Sequence, residues 1–286
     1  MDLSLVFNGI FLGAVFAVAT IGLSFFYTST GVFNFAHGAL LMLGGYLTYT
    51  FLTTAGLSLI PAAILSVLGV GAIMTIFYRY ALLPIKEQHI TAIIITLAFL
   101  LMLERLITVL YGPWGLPFPT FFPGVVIIKG VEVSYQKIYV AISSLIAIAI
   151  LWLLITKTWI GLGIRATIDN EHIASSLGIN GSRMHLLSVF LSSVITAFGG
   201  INISSTLFLS PVLMSQMNMI ALTVSILAGL GSIWGVIPAA FILGFADSFG
   251  ASYFGGWFRF VSMTVVVILV LIIRPRGLFG EKERIV

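Results

Sequence analysis

One apolar stretch of near-membrane length follows another along almost the whole chain, and this constrains the fold more than any motif does. Such stretches run over residues 3–26, 35–52, 59–78, 90–110, 138–155, 186–209, 233–249 and 258–273, with a shorter one at 219–230. The hydrocarbon core of a bilayer is about 30 Å thick and takes about 20 apolar residues of helix. Only 8% of the residues are charged, where soluble domains carry about 25%. A chain so poor in charge lacks the polar surface that water requires. In lipid, each backbone N–H and C=O must be satisfied within the protein, which leaves helices or a closed barrel. A barrel would show segments of about ten residues with alternating polarity, and none is present. The expected fold is an all-α polytopic membrane protein. It is a bundle of eight or nine transmembrane helices with glycine-broken segments, forming one membrane-spanning domain over residues 1–286.

Charge then orients the bundle, because Lys and Arg concentrate on the cytoplasmic side. Loops 79–89 and 157–184 and the tail 274–286 hold Arg79, Lys86, Lys157, Arg165, Arg183, Arg274, Arg276, Lys282 and Arg284, while the opposite side holds Lys129, Lys137 and Arg259. The C-terminus is therefore expected in the cytoplasm. The N-terminus lies outside with nine spans and inside with eight. Ala17-Val18-Ala19 resembles a signal-peptidase site, but no positive residue precedes it and the apolar run continues, so an uncleaved first helix is expected. Residues 112–137 form an outside, periplasmic loop, in which two apolar runs flank Lys129-Gly130 as a small hairpin. The net charge of +4 belongs to these loops and not to a nucleic-acid surface, so lipid is a partner and nucleic acid is not. The chain has no cysteine, which excludes disulfides and Cys-ligated metal, and the histidines suggest no metal site.

Polar residues interrupt the apolar pattern in three places. In Gly31-Val32-Phe33-Asn34-Phe35-Ala36-His37-Gly38, Asn34 and His37 open a segment between glycines. This is either an interfacial turn with a helix cap or a broken helix facing a substrate cavity, where irregular backbone is tolerated. A second glycine-rich break spans Gly229, Gly231 and Ser232 up to Gly235, and serves either close helix packing or the same path. The third is the inside loop. There Asp169 is expected to cap a short helix, Glu171 suits its positive end and Gly178 its stop. Ala174 and Gly178 are read as one small-residue face beside an apolar ridge of Ile173 and Leu177. That surface docks another protein or lies on the membrane. Glu104-Arg105 and Asp247 are the few charges inside segments. No Gly-x-x-x-x-Gly-Lys-Ser/Thr occurs, so no P-loop binds ATP here. No nucleophile elbow, zinc motif or carboxylate pair supports an enzyme.

Four stretches, in order, resemble the branched-chain amino acid ABC transporter permeases of the LivH type, a family that also includes urea and amide permeases. They are 31–38 with Met42-Leu43-Gly44; 161–180 with Arg165-Ala166; 229–233 with Ile242-Leu243-Gly244; and Arg274-Pro275-Arg276-Gly277-Leu278-Phe279-Gly280. Ala174 and Gly178 are similar to the end of the "EAA…G" loop of permeases, with Glu171 one place early and His172 at the usual Glu position. Ala228, Pro238-Ala239-Ala240 and Glu104-Arg105 depart from the family's pattern. The resemblance implies a permease subunit of an ABC importer in the bacterial or archaeal inner membrane. Its cargo would be a branched-chain or other hydrophobic amino acid, or alternatively urea, a short amide or another small solute. It implies as partners a second related permease or a copy of this chain, two cytoplasmic ABC ATPases that bind ATP and magnesium, and a periplasmic solute-binding protein. The chain itself needs no cofactor. Asn34, His37, Gly38, Gly229, Gly231 and Ser232 are then candidates for the substrate path. Arg165, Asp169, Glu171, Ile173, Ala174, Leu177 and Gly178 would form the ATPase-coupling loop. A stand-alone channel or ion-coupled carrier would need intramembrane ionisable groups, which are nearly absent.

Overall fold

The computed structural model describes residues 3–85 and 88–280. Lys86, Lys282 and Arg284, which entered the charge asymmetry, lie outside the described residues. Every apolar stretch read from the sequence is a helix: α1 (Leu3–Thr30), α2 (His37–Thr53), α3 (Leu59–Phe77), α4 (His89–Tyr111), α5 (Tyr135–Lys157), α8 (Gly181–Thr206), α9 (Pro211–Ala228), α10 (Val236–Phe254) and α11 (Arg259–Ile273). Two short helices, α6 (Trp159–Asp169) and α7 (Glu171–Ser176), fill the loop between α5 and α8. Eight of the described helices are long and apolar enough to cross a membrane. The short helix is not the one expected. The segment at 219–230 begins earlier, at Pro211, and α9 has 18 residues, because Ser215, Gln216 and Asn218 extend the helix despite breaking the apolar run. Instead α2, with 17 residues, falls outside the eight.

Burial ranks the helices. The apolar window of α1 is 94% buried and that of α8 67%, against 22% for α4 and 6% for the window ending in α11. Lipid offers no hydrophobic drive between helices, so they associate where small residues let backbones approach. A Cβ on Gly244 of α10 would lie 2.4 Å from the backbone nitrogen of Gly13 in α1. A Cβ on Gly199 of α8 would meet the backbone of Ala19, 3.2 Å away. Gly44 of α2 packs on the Ala197 backbone of α8 in the same way.

The start of α1 and the last described residues, 277–280, lie at opposite ends of the bundle. At the start of α1, the Ser248 hydroxyl donates to the Leu5 carbonyl at 3.0 Å. At its other end, Thr28 Oγ1 donates to the Gly231 carbonyl at 2.9 Å, and the tail hydrogen-bonds to the last turn of α9. The starting end also carries the hairpin of β1 (Val125–Ile128) and β2 (Val131–Ser134). Its two-residue turn has φ 50° at Lys129 and 82° at Gly130, the doubly left-handed geometry that matches strand twist. Two isolated bonds tie the rest of that loop down: Leu116 N to Leu209 O at 2.8 Å and Leu209 N to Leu116 O at 3.1 Å.

Asp247 is 1% exposed in α10, and a bidentate guanidinium holds it. Arg259 Nε donates to Oδ1 at 2.6 Å and a terminal nitrogen to Oδ2 at 2.7 Å. The pair clamps the turn between α10 and α11. Removing one partner of such a pair leaves the other charge without compensation, which costs more than removing both. Arg259→Gln should lower the melting temperature of the detergent-solubilised protein. Asp247→Asn combined with Arg259→Gln should melt above Arg259→Gln alone. A strictly additive pair of effects would show that the ion pair contributes nothing.

Candidate functional site

The break after α1 is a short extended segment that turns back into the bundle. Gly31 has φ 69° and ends the helix; α2 starts only at His37. The His37 side chain reaches α1 and α8, and the Phe35 backbone reaches α4 and α9. His37 Nε2 faces the carbonyl of Ala19 at 2.6 Å, so this nitrogen carries the proton, because a carbonyl only accepts. Nδ1 stands 3.4 Å from the Thr196 hydroxyl of α8. Phe35 N donates to Thr96 Oγ1 of α4 at 3.3 Å, and Asn218 Nδ2 of α9 donates to the Phe35 carbonyl at 3.4 Å. Asn34 Oδ1 accepts from Ala36 N at 3.0 Å and tightens the turn, while Ala36 rather than Asn34 is the residue preceding α2. Asn34, His37, Thr196 and Asn218 are each 1% exposed. Ala19 is eleven residues from the α1 end at Thr30, about 16 Å by helical rise, which sets this polar cluster deep in the bundle. Asn34 tightens the turn without capping α2, and the chain re-enters far below the end of α1.

Asn218 was not among the sequence candidates. It is a buried amide in α9, two residues beyond Gln216, and its Oδ1 has no hydrogen-bond partner among the described residues. A Cβ on Gly38 would come within 2.6 Å of the Asn218 Cβ, so Gly38 is what lets α2 and α9 meet here.

The second break lies at another level. Gly231 bonds to Thr28, nine residues further along α1 than Ala19, which separates the two breaks by about 13 Å. Gly229, Gly231 and Ser232 do not join the cluster around His37. Gly229, with φ 97°, packs on the tail: a Cβ there would sit 2.5 Å from Gly280 N. Leu278 N donates to Leu227 O and Phe279 N to Ala228 O, both at 2.9 Å, so the tail satisfies carbonyls that the end of α9 leaves open. Ser232 Oγ accepts from Gly235 N at 3.2 Å and shapes the same turn. The glycine-rich break and the Arg-Pro-Arg-Gly tail, read separately in the sequence, are one packed unit. Glu104 is half-buried and Arg105 exposed on α4, eight and nine residues from Thr96, and they do not reach the cluster.

The loop between α5 and α8 corrects the sequence reading in two respects. Asp169 caps nothing: it is the last residue of α6, in which Arg165 also lies, exposed. The extended residue between the helices is Asn170, and its Oδ1 accepts from Ile173 N at 3.0 Å. Ala174 and Gly178 do not share a face either. The helix ends at Ser176, Ala174 is 1% exposed against the bundle, and Gly178 lies beyond the stop with φ 86°. The apolar ridge is present: Ile173 is 61% exposed and Leu177 77%. Trp159, Ile160 and Leu162 of α6 extend this exposed apolar surface.

Glu171 anchors this surface to the bundle. Its carboxylate lies 3.4 Å from His185 Nε2 in α8, and His185 Nδ1 bonds the Ser29 carbonyl of α1 at 2.7 Å. A Cβ on Gly181 would meet Glu171 Oε1 at 2.6 Å, so the carboxylate fits only over a glycine. The path from α7 through His185 ends two residues before Gly31. Nothing local in the sequence distinguishes His185; its role comes from two partners 14 and 156 residues away.

Residues 5–274 match a family described as branched-chain amino acid transport system, permease component. The chain is 26% identical to the high-affinity branched-chain amino acid permease protein BraD of Pseudomonas aeruginosa, over 96% of this chain and 95% of that one. It is 28% identical to a probable branched-chain amino acid permease, LivH, of Methanocaldococcus jannaschii, over 91% and 87%. It is 26% identical to the guanosine ABC transporter permease NupQ of Bacillus subtilis, over 77% and 73%. Among solved structures, PsaBC from Streptococcus pneumoniae in complex with Fab shares the fold at a TM-score of 0.52 and 15% identity, over 96% and 94% of the two chains.

The close approach of Gly38 and Asn218 makes a prediction. Overpacking a tight contact costs about 1–3 kcal/mol, so Gly38→Ala should lower the melting temperature. Adding Asn218→Gly should recover part of that loss despite its own helix cost. Coupling below about 0.5 kcal/mol in this cycle would mean that the two helices are not held together at this point.

Proposed function

This chain belongs to the branched-chain amino acid transport permease family, and on that premise we propose that it is the membrane-spanning subunit of an ATP-driven importer for branched-chain amino acids. The observation that carries the reading is the α6–α7 surface, apolar where it is exposed and tied by Glu171 and His185 to the end of α1. One of two cytoplasmic ATPases would dock there, and the two would close on ATP and magnesium. A second related permease, or a copy of this chain, completes the membrane part, and a periplasmic binding protein delivers the solute.

Charge supports the orientation. Arg79, Lys157, Arg165, Arg183, Arg274 and Arg276 belong to the end with α6, α7 and the tail, while Lys129, Lys137 and Arg259 belong to the other. By the positive-inside rule the tail is cytoplasmic, and the start of α1, at the opposite end of the bundle, is periplasmic.

Movement of α7 would pass through His185 to the Ser29 carbonyl, and from there to Gly31 and the turn that holds Asn34 and His37. That cluster is a closed constriction. Its hydrogen bonds run between helices and have a second arrangement available through the free Asn218 Oδ1, as alternating access requires. Gly229 supports the tail, Gly231 and Ser232 shape the turn beside it, and the three stay outside the path.

Docking is tested at Ile173 and Leu177. Burying such a side chain contributes about 1.5–3 kcal/mol, and 1.4 kcal/mol is a tenfold change in affinity. Ile173→Glu with Leu177→Glu should therefore reduce ATPase co-purification at least tenfold at matched membrane expression. Leucine uptake should be lost with it. Unchanged recovery together with unchanged uptake would place the docking surface elsewhere. Uptake of guanosine but not leucine by the intact complex would move the cargo to nucleosides.

A further inference from the structure

A groove of about 830 Å³ opens between α1, α5, α10 and the hairpin, at the end of the bundle opposite the tail. Its mouth is polar. The Lys137 ammonium donates to Asn8 Oδ1 at 3.4 Å and lies 5.4 Å from the centre of the Phe11 ring. Asn8 in turn donates to Ser248 at 3.3 Å, so the lysine is set in a hydrogen-bonded chain. Asn8 occupies one of the three ammonium protons. Glu132, on β2, is exposed and lines the same mouth. Below the mouth the walls are apolar, with Phe11 on one side and Ile142, 53% exposed, on the other.

Depth fixes what this gradient meets. Lys137 is the third residue of α5 and Asn8 the sixth of α1, about 3 and 8 Å from the helix starts. Exposed Tyr135, Tyr253 and Trp257 lie at the same end. Aromatic residues of this kind mark the membrane–water boundary. The polar mouth is therefore at headgroup level and the apolar walls run towards the acyl chains.

We propose that this groove binds one phosphatidylethanolamine molecule, with its phosphate on Lys137, its ammonium on Glu132 and one acyl chain along Phe11 and Ile142. Phosphatidylglycerol has no cation for Glu132. A choline headgroup has a cation but no N–H to donate to the carboxylate. A free apolar amino acid carries both charges but leaves most of the groove uncovered, since a cavity of this size suits a drug-sized molecule.

Native mass spectrometry of the full-length chain, offered equimolar phosphatidylethanolamine, phosphatidylglycerol and phosphatidylcholine, tests the assignment. One phosphatidylethanolamine should be retained about fivefold over each of the others. Glu132→Lys should turn the preference to phosphatidylglycerol, and Lys137→Gln should abolish it. Glu132 is exposed on the hairpin, so its variant leaves the bundle intact, and an unchanged melting temperature verifies this. No headgroup preference in the wild type, or a preference that survives Glu132→Lys, would overturn the proposal. So would displacement of the bound lipid by millimolar leucine, which would make the groove an amino acid site.

Discussion

In the membrane, a helix gains nothing by leaving lipid for another helix of the same polarity, so contact must come from close fit. In this protein that constraint converges on α1. Its window is 94% buried, and neighbours approach through Gly13 and Gly244, through Gly22, and through Gly199 against Ala19. Because α1 is covered on all sides, its own carbonyls become available as partners for polar side chains. His37 reaches Ala19 O in the middle, His185 reaches Ser29 O near the end and Ser248 reaches Leu5 O near the start. The helix is the axis on which the break after α1, the α6–α7 loop and the groove beside the hairpin are all hung.

The same constraint explains why the backbone is irregular where it is. Residues 31–36 leave helical geometry inside the bundle, where an unsatisfied amide or carbonyl is costly. Thr96 takes the Phe35 N–H and Asn218 gives to the Phe35 carbonyl, so helices α4 and α9 supply what a helix would have supplied internally. At the end of α9 the tail has that role, with two amides on the Leu227 and Ala228 carbonyls. Both solutions need glycine for different reasons. Gly31 and Gly229 take left-handed angles, whereas Gly38 removes a side chain from a helix crossing.

Charge is treated just as sparingly. Asp247 is compensated by a bidentate arginine, and Glu171 is held beside His185. Asp247 lies beside Ser248, level with the start of α1, and Glu171 opens α7, so neither is at mid-depth. The cluster at mid-depth is built from amides, hydroxyls and an imidazole, with no carboxylate or basic chain among them.

Sequence alone determined the helices, because a span of about 20 apolar residues is a local property that lipid enforces. It also determined the hairpin, since Lys129-Gly130 requires nothing beyond its own backbone angles, and the exposed ridge of Ile173 and Leu177. Tertiary structure decided the rest. That Asn170 rather than Asp169 caps α7 depends on where α6 stops. That Gly229 supports the tail depends on 277–280 returning to it. Asn218 and His185 acquire their roles from partners on distant helices, and a polar residue at the edge of an apolar run looks the same whether it is bonded across the bundle or not. Local physics fixes which segments cross the membrane. Which backbones touch is fixed only by the close fit of surfaces far apart in the chain.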